Sequence, residues 1–176
     1  MSQDFLEGTL TFSFPDGWHV CRPQTCSFYV RHFETFCSGC KEMDFLAFDP
    51  QTHTIWLIEV KDYQAHTRVK ELDLADEVAQ KTRDVLAMLP VARLRDNGLS
   101  APGTLQVGDF WRHANHATEL RVILHCELPN SPSKLFPGVK DAANLQTKLS
   151  HKLRPIDPHA LFTNRHLGHA FPWAVA

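Results

Sequence analysis

The sequence predicts an α/β fold with a central mixed β-sheet flanked by helices, and three stretches predict it. Glu42 to Phe48 and Thr54 to Lys61 are strand-like, and Asp49, Pro50, Gln51 and Thr52 between them are turn formers, so the two runs make a hairpin. Leu74, Val78, Val85, Leu86 and Leu89 recur at helical spacing. Glu119 to Leu128 (ELRVILHCEL) is an apolar run that suits one more strand, the last of the core sheet. A hairpin, a helix and a returning strand give a sheet with a helix packed on it.

Size and composition fit that class. At 176 residues, with 43% hydrophobic and 22% charged residues, the chain is expected to be one globular domain spanning 1–176. Its core is expected at about residues 27–128, followed by a basic helical extension at about 131–176. No apolar run reaches the ~18 residues of a membrane-spanning helix, so no membrane is expected. The start, MSQDFLEGTL, has acid ahead of a short apolar stretch and is unlike a secretory signal, which makes a cytoplasmic location the default expectation. The net charge of −2 is unevenly spread: residues 1–130 carry 12 Lys and Arg against 18 Asp and Glu, while residues 131–176 carry 6 against 2. The C-terminal part is the expected phosphate-facing surface.

At the N-terminal end, Leu10 to Phe14 alternates like a strand, Pro15-Asp16-Gly17 is a turn, and Trp18 to Arg22 reads as a second strand. Ser27 to Phe36 places Tyr29, Phe33 and Phe36 at helical spacing, although its aromatics suit a strand as well.

The hairpin carries the chemistry. Ile55, Trp56, Leu57 and Ile58 lead straight into Glu59, Val60 and Lys61. In a strand covered on both faces, a carboxylate and an ammonium are costly unless they meet a partner, a metal or a substrate. A hairpin centred between Gln51 and Thr52 puts Asp44 opposite Glu59, and directly opposed residues share a face with Cβ atoms about 5 Å apart. Lys61, two residues on, points to the same face. A slip of one residue would separate the two carboxylates. Held that close, they need a proton or a cation between them, and hard oxygen ligands suit Mg²⁺ or Mn²⁺. A metal there can polarise a phosphodiester and bind the attacking water, with the lysine orienting that water or offsetting charge on phosphate oxygens. The plainer alternative is a buried ion pair in which Lys61 neutralises Glu59 or Asp44.

Asp44, fourteen intervening residues and then Glu59-Val60-Lys61 resembles the D-x(n)-(D/E)-x-K core of the PD-(D/E)xK, or restriction-endonuclease-like, nuclease superfamily. An apolar strand ending in IEVKDY, preceded by a hairpin and followed by a helix, strengthens the likeness, while Met43 stands where the family usually has proline. The resemblance implies an αβββαβ core and metal-dependent hydrolysis of phosphodiester bonds, in DNA ahead of RNA. It implies Asp44 and Glu59 as ligands of Mg²⁺ or Mn²⁺, the Val60 carbonyl as a further ligand, and Lys61 as the residue that positions or activates water. It also implies one more acidic residue from the first helix, for which Glu34, Glu42 and Glu7 are the candidates. Polar residues from the helix after the motif, here Gln80 and Lys81, are a further implied contribution. Against this, Lys81 can pair with Glu77 four residues back on a solvated face. The alternative function is a nuclease-fold protein that no longer cuts and binds a protein or nucleic-acid partner, in an immunity or antitoxin role. The acidic first 130 residues fit that alternative.

Three further stretches carry weaker chemistry. Cys21, Cys26, Cys37 and Cys40 are spaced C-x4-C-x10-C-x2-C, a set of soft ligands compatible with tetrahedral zinc or, alternatively, thiols lining a small apolar core. With five cysteines in all and no secretory signal, a disulfide framework is not expected. Asp73 reads as the N-cap of the post-motif helix, with Pro90 marking its end or a kink. His113 and His116 read as surface histidines. A last helix is expected from about Val139 to Leu153, with Ala142, Leu145, Leu149 and Leu153 inward and Lys140, Lys148 and Lys152 outward. With Arg154 these cations form a candidate nucleic-acid surface, a solvated helix face being the alternative.

Overall fold

In the computed structural model, residues 2–64, 72–96, 98, 105–128, 141–167 and 171–176 are described. Five strands make the main sheet: β3 (His19–Cys21), β4 (Phe45–Asp49), β5 (Thr54–Asp62), β6 (Glu119–Glu127) and β7 (Leu161–Thr163), hydrogen-bonded in that order. The first two junctions, β3 to β4 and β4 to β5, are antiparallel, and the next two, β5 to β6 and β6 to β7, are parallel. The sheet is therefore mixed. Helices α1 (Leu74–Arg95) and α2 (Val107–Ala114) lie between β5 and β6 in the chain, and α3 (Asp141–Leu153) lies between β6 and β7, as parallel neighbours require a crossover. A second sheet of three short strands is formed by β1 (Gln3–Glu7), β2 (Leu10–Phe14) and β8 (Ala174–Val175).

The period-two alternation of β4 and β5 decides what each face meets. Leu46, Phe48, Ile55 and Leu57 face one core with Val78, Val85, Met88 and Leu89 of α1 and Leu145, Leu149 and Leu153 of α3. Phe45, Ala47, Ile58 and Val60 face the other core with Leu10, Phe12 and Phe14 of β2 and Trp173. Each fully buried aromatic or aliphatic side chain here is worth about 1.5–3 kcal/mol. Covering on both sides is why β5 reads as an unbroken apolar run, and it makes any charge on β5 conspicuous.

The hairpin pairs Phe45 with Ile58 and Asp49 with Thr54, the register expected from its turn residues. Asp49 closes that turn, its carboxylate accepting from the Gln51 N–H at 2.9 Å and the Thr52 hydroxyl at 2.7 Å.

Several details depart from the sequence reading. Among the described residues the β1–β2 hairpin comes first and no α-helix precedes β3. The helical segments between β3 and β4 are short: 3₁₀ turns at Pro23–Thr25 and Phe36–Ser38, and between them a turn over Tyr29–Phe33 that closes with the Glu34 N–H donating to the Tyr29 carbonyl at 3.0 Å. That five-residue spacing marks a π-type turn. Pro90 does not end α1, which continues to Arg95. Leu89 and Ala92, either side of it and both buried, hold the last turn against the core, offsetting the ~3 kcal/mol that an interior proline costs. At its start α1 is capped as expected, the Asp73 carboxylate accepting from the Ala75 N–H at 2.9 Å. Among the described residues, no helix is long and apolar enough to cross a membrane.

Candidate active site

Continuing the hairpin register one pair beyond Phe45 and Ile58 sets Asp44 against Glu59. Asp44 sits just ahead of β4, and its Oδ2 accepts the Val60 N–H at 2.7 Å, which ties it to β5. Glu59 and Lys61, two residues apart on β5, share the α1 side of the sheet with Asp44. Glu59 is fully buried. The Lys61 ammonium lies 2.5 Å from Glu59 Oε1.

The second lysine at this carboxylate comes from the helix. Lys81 donates to the same Glu59 Oε1 at 2.6 Å and is almost as buried as the residue that it meets. It does not form the solvated pair with Glu77 that its spacing allowed. Instead α1 turns Glu77 and Lys81, four residues apart and both buried, toward β5. Glu77 Oε1 lies 3.3 Å from the Lys61 ammonium. Gln80 is half-buried on the same helix.

The electrostatics follow from burial. Asp44 is held above the usual carboxylate range first by burial, with Lys81 and the Val60 N–H opposing the shift. Glu59 is pushed up to about 7, first by burial and then by the Asp44 carboxylate, while Lys81 and Lys61 pull it down. Burial works to lower Lys61, but Glu59 and Glu77 outweigh it and raise the ammonium above its ordinary value. Among described groups Glu59 Oε2 is buried and has no hydrogen-bond partner. An orphaned carboxylate oxygen in that setting is a free acceptor, which a proton or a hard cation can satisfy.

The three candidates for a further acid ahead of the motif are placed differently. Glu34 is exposed, and Glu42 accepts from the Tyr29 hydroxyl. Glu7, at the end of β1, is ion-paired with Arg22 and lies near enough to Asp44 for its charge to push Asp44 upward. Glu77 is the carboxylate that approaches Lys61, and the sequence reading placed it on a solvated face. The signal that could have found it is the pairing of two patterns: Glu59-x-Lys61 on a strand and Glu77-x3-Lys81 on a helix both put an acid and a base on one face.

The four cysteines are not gathered into one tetrahedron. Cys21 and Cys26 are buried with their sulfurs 3.4 Å apart, whereas Cys37 is exposed and Cys40 half-buried. Among the described residues, no group of three or more His, Cys, Asp and Glu is arranged to hold a metal ion. Asp44 and Glu59 are thus a two-carboxylate set, which the Val60 carbonyl and water would have to complete around Mg²⁺ or Mn²⁺. The orphaned Oε2 is the feature that fits such an ion.

On the basic extension, Lys148 bonds Asp73 at 2.5 Å and Lys152 bonds Asp76 at 2.6 Å, so both cations are committed to the first turn of α1. Arg154 is exposed, and Lys140 lies outside the described residues. His113 and His116 are exposed as expected, with His113 stacked on His19 at 3.8 Å between ring centres.

No protein-family model and no solved structure matches the chain. Among curated proteins, a cysteine–tRNA ligase of Neisseria meningitidis is similar, with 29% identity over 170 residues and 79% of this chain covered. The chain spans 23% of that protein's length.

Proposed function

We propose that the chain is a metal-dependent nuclease hydrolysing phosphodiester bonds, built on a restriction-endonuclease-like core. The observation that carries the reading is the fully buried Glu59, flanked by Asp44, with two ammonium groups on one oxygen and none on the other. A purely structural ion pair needs only one lysine, and burying charges in that number is costly unless the site has work to do. Asp44, Glu59 and the Val60 carbonyl would hold Mg²⁺ or Mn²⁺. Such an ion supplies Lewis-acid polarisation of a phosphoryl oxygen and a water acidic enough to attack it.

The rest of the chemistry belongs to the chain. Lys61, 19% exposed at its side chain, is the cation of the site that reaches toward solvent, so it is the group placed to meet a phosphate oxygen or hold a water by its N–H donors. Lys81 stays inside and offsets the carboxylate charge. DNA is the first candidate substrate. RNA stands beside it, because the similar Neisseria protein is by name a tRNA ligase.

A second reading has its own observation. Lys61 and Lys81 are paired with Glu59, and Lys148 and Lys152 are turned to acids of α1, so each of these four cations already has a carboxylate partner. A protein that binds a partner without cutting it fits that balance. Incubation with single- and double-stranded DNA and RNA, with and without Mg²⁺ or Mn²⁺, separates the two. Divalent-dependent cleavage that Glu59→Ala and Lys61→Ala abolish, with the fold retained, is the expected result. Cleavage unchanged in both variants would sink the assignment, and no cleavage by the wild type would favour the binding reading.

A further inference from the structure

We propose that Glu77 is the positioning residue of this site and keeps the Lys61 ammonium in place. The inference rests on the nuclease reading for its consequence, though the contact itself is geometric. Lys61 reaches two carboxylates on different elements, Glu59 Oε1 of its own strand at 2.5 Å and Glu77 Oε1 of α1 at 3.3 Å. Glu59 divides that same oxygen between two ammonium groups, since Lys81 takes it at 2.6 Å. An oxygen shared in this way holds each lysine less firmly than an undivided partner would, so the second carboxylate decides where Lys61 stays.

A lysine has four rotatable bonds and a strongly hydrated head, and Lys61 is the more exposed of the two, at 19% against 10% for Lys81. Released by Glu59, its ammonium would turn outward into water. Glu77 opposes that. Its position is fixed independently of β5 by the Asp73 cap one turn earlier and by the burial of Leu74, Ala75 and Val78 beside it. Asp44 and Glu59 are described by the motif, whereas Glu77 lies fourteen residues beyond Tyr63 and outside it.

The test uses the exchange of the Lys61 ammonium protons with water, followed by NMR on lysine-labelled protein at pH 5, where this base-catalysed exchange is slow enough to follow. The signal is assigned by its loss in Lys61→Arg. Glu77→Gln, close in shape to the native side chain, should speed exchange about tenfold, the loss of an ion-pair partner worth about 1.4 kcal/mol. Glu77→Asp should restore part of the protection. Exchange unchanged in Glu77→Gln, in protein whose circular dichroism is native, overturns the proposal. In the cleavage assay the same variant should lose about 10²-fold in kcat, the cost of a misplaced group, with KM and the Mg²⁺ concentration dependence unchanged. Loss of Mg²⁺ binding in Glu77→Gln as complete as in Glu59→Gln would make Glu77 a ligand and overturn the positioning role. Faster exchange in a protein that cleaves nothing would leave Glu77 holding Lys61 and remove the nuclease reading instead.

Discussion

Two carboxylates with the same burial sit on opposite faces of the main sheet and make opposite use of it. Glu59 on β5 and Glu127 on β6 are both fully buried, and each leaves Oε2 without a hydrogen-bond partner among described groups. Glu127 Oε1 meets His125 Nε2 at 3.0 Å, the Arg165 N–H at 2.9 Å and Arg165 Nε at 3.3 Å. One of those donors is backbone, and Arg165 follows β7, so Glu127 fastens the end of one strand to the residues after the next. His125 packs edge-on to Phe12 of the small sheet, and burial lowers its pKa despite Glu127. Glu59, by contrast, meets only flexible ammonium groups and has a second carboxylate opposite. The difference between a clamp and a site lies in what surrounds the acid, and burial alone does not distinguish them.

The largest effect expected from this contrast is on folding stability. Glu127→Ala strands the Arg165 and His125 donors and a backbone N–H, which should cost about 3–5 kcal/mol, as breaking one side of a buried ionic contact does. Glu59→Gln at pH 8 removes a charge that burial opposes while keeping the shape, so its cost should be far smaller. Urea denaturation of both variants at pH 8 checks the order. A larger loss for Glu59→Gln would make Glu59 the structural member of the pair.

The second effect is the pH dependence that Glu59 imposes. The folded protein holds this proton up to about pH 7, against an ordinary value of 4.5. Folded protein therefore binds more protons than unfolded chain across that interval. The added stability is complete below about pH 4.5 and is lost as pH rises through about 7, a change of roughly 3 kcal/mol for a shift of this size. Asp44, also raised, acts with the same sign. Without divalent ions the melting temperature should fall between pH 5 and 8, and Glu59→Gln should flatten most of that fall. A slope indifferent to Glu59→Gln would assign the dependence to other groups.

How much of this was legible in the sequence depends on the range of the interactions involved. The hairpin register follows from four turn residues and a period of two, both local, and the α1 cap follows from Asp73 alone. β6 is readable because burial on both faces leaves an unbroken apolar run. The three-stranded sheet was only half visible: Leu10 to Phe14 alternates, but β1 carries Asp4 and Glu7, and β8 is two residues long and joins β2 from the far end of the chain. Ser27 to Phe36 read equally as helix or strand because its aromatics suit both, and Tyr29 and Phe33 are buried within a π-type turn that spacing alone does not show. Lys81 was an implied contribution from this helix with a solvated pair to Glu77 as the alternative, and both are buried: an acid and a base four residues apart look like a surface pair until the rotation of α1 about its own axis is known.

The smallest effect concerns the exposed ion pairs, the third setting in which this chain places a charge. Lys148 and Lys152 read from sequence as cations free to follow a phosphate backbone, yet each is bonded to an acid in the first turn of α1. A lysine already paired with a carboxylate carries little counterion release to offer, because its charge is offset before the nucleic acid arrives. Lys148→Ala should therefore leave the salt dependence of nucleic-acid binding unchanged, where loss of a true phosphate contact would reduce the slope of log K against log salt by about 0.9. Its effect on melting should also be slight, since exposed pairs contribute about 0.2–1 kcal/mol. Asp73→Ala should lower the melting temperature further than Lys148→Ala, because it removes the α1 cap together with the ion pair, and the cap alone is worth about 1 kcal/mol. A reduced salt slope in Lys148→Ala would show that the lysine leaves Asp73 for phosphate, and would return the α3 surface to the substrate path.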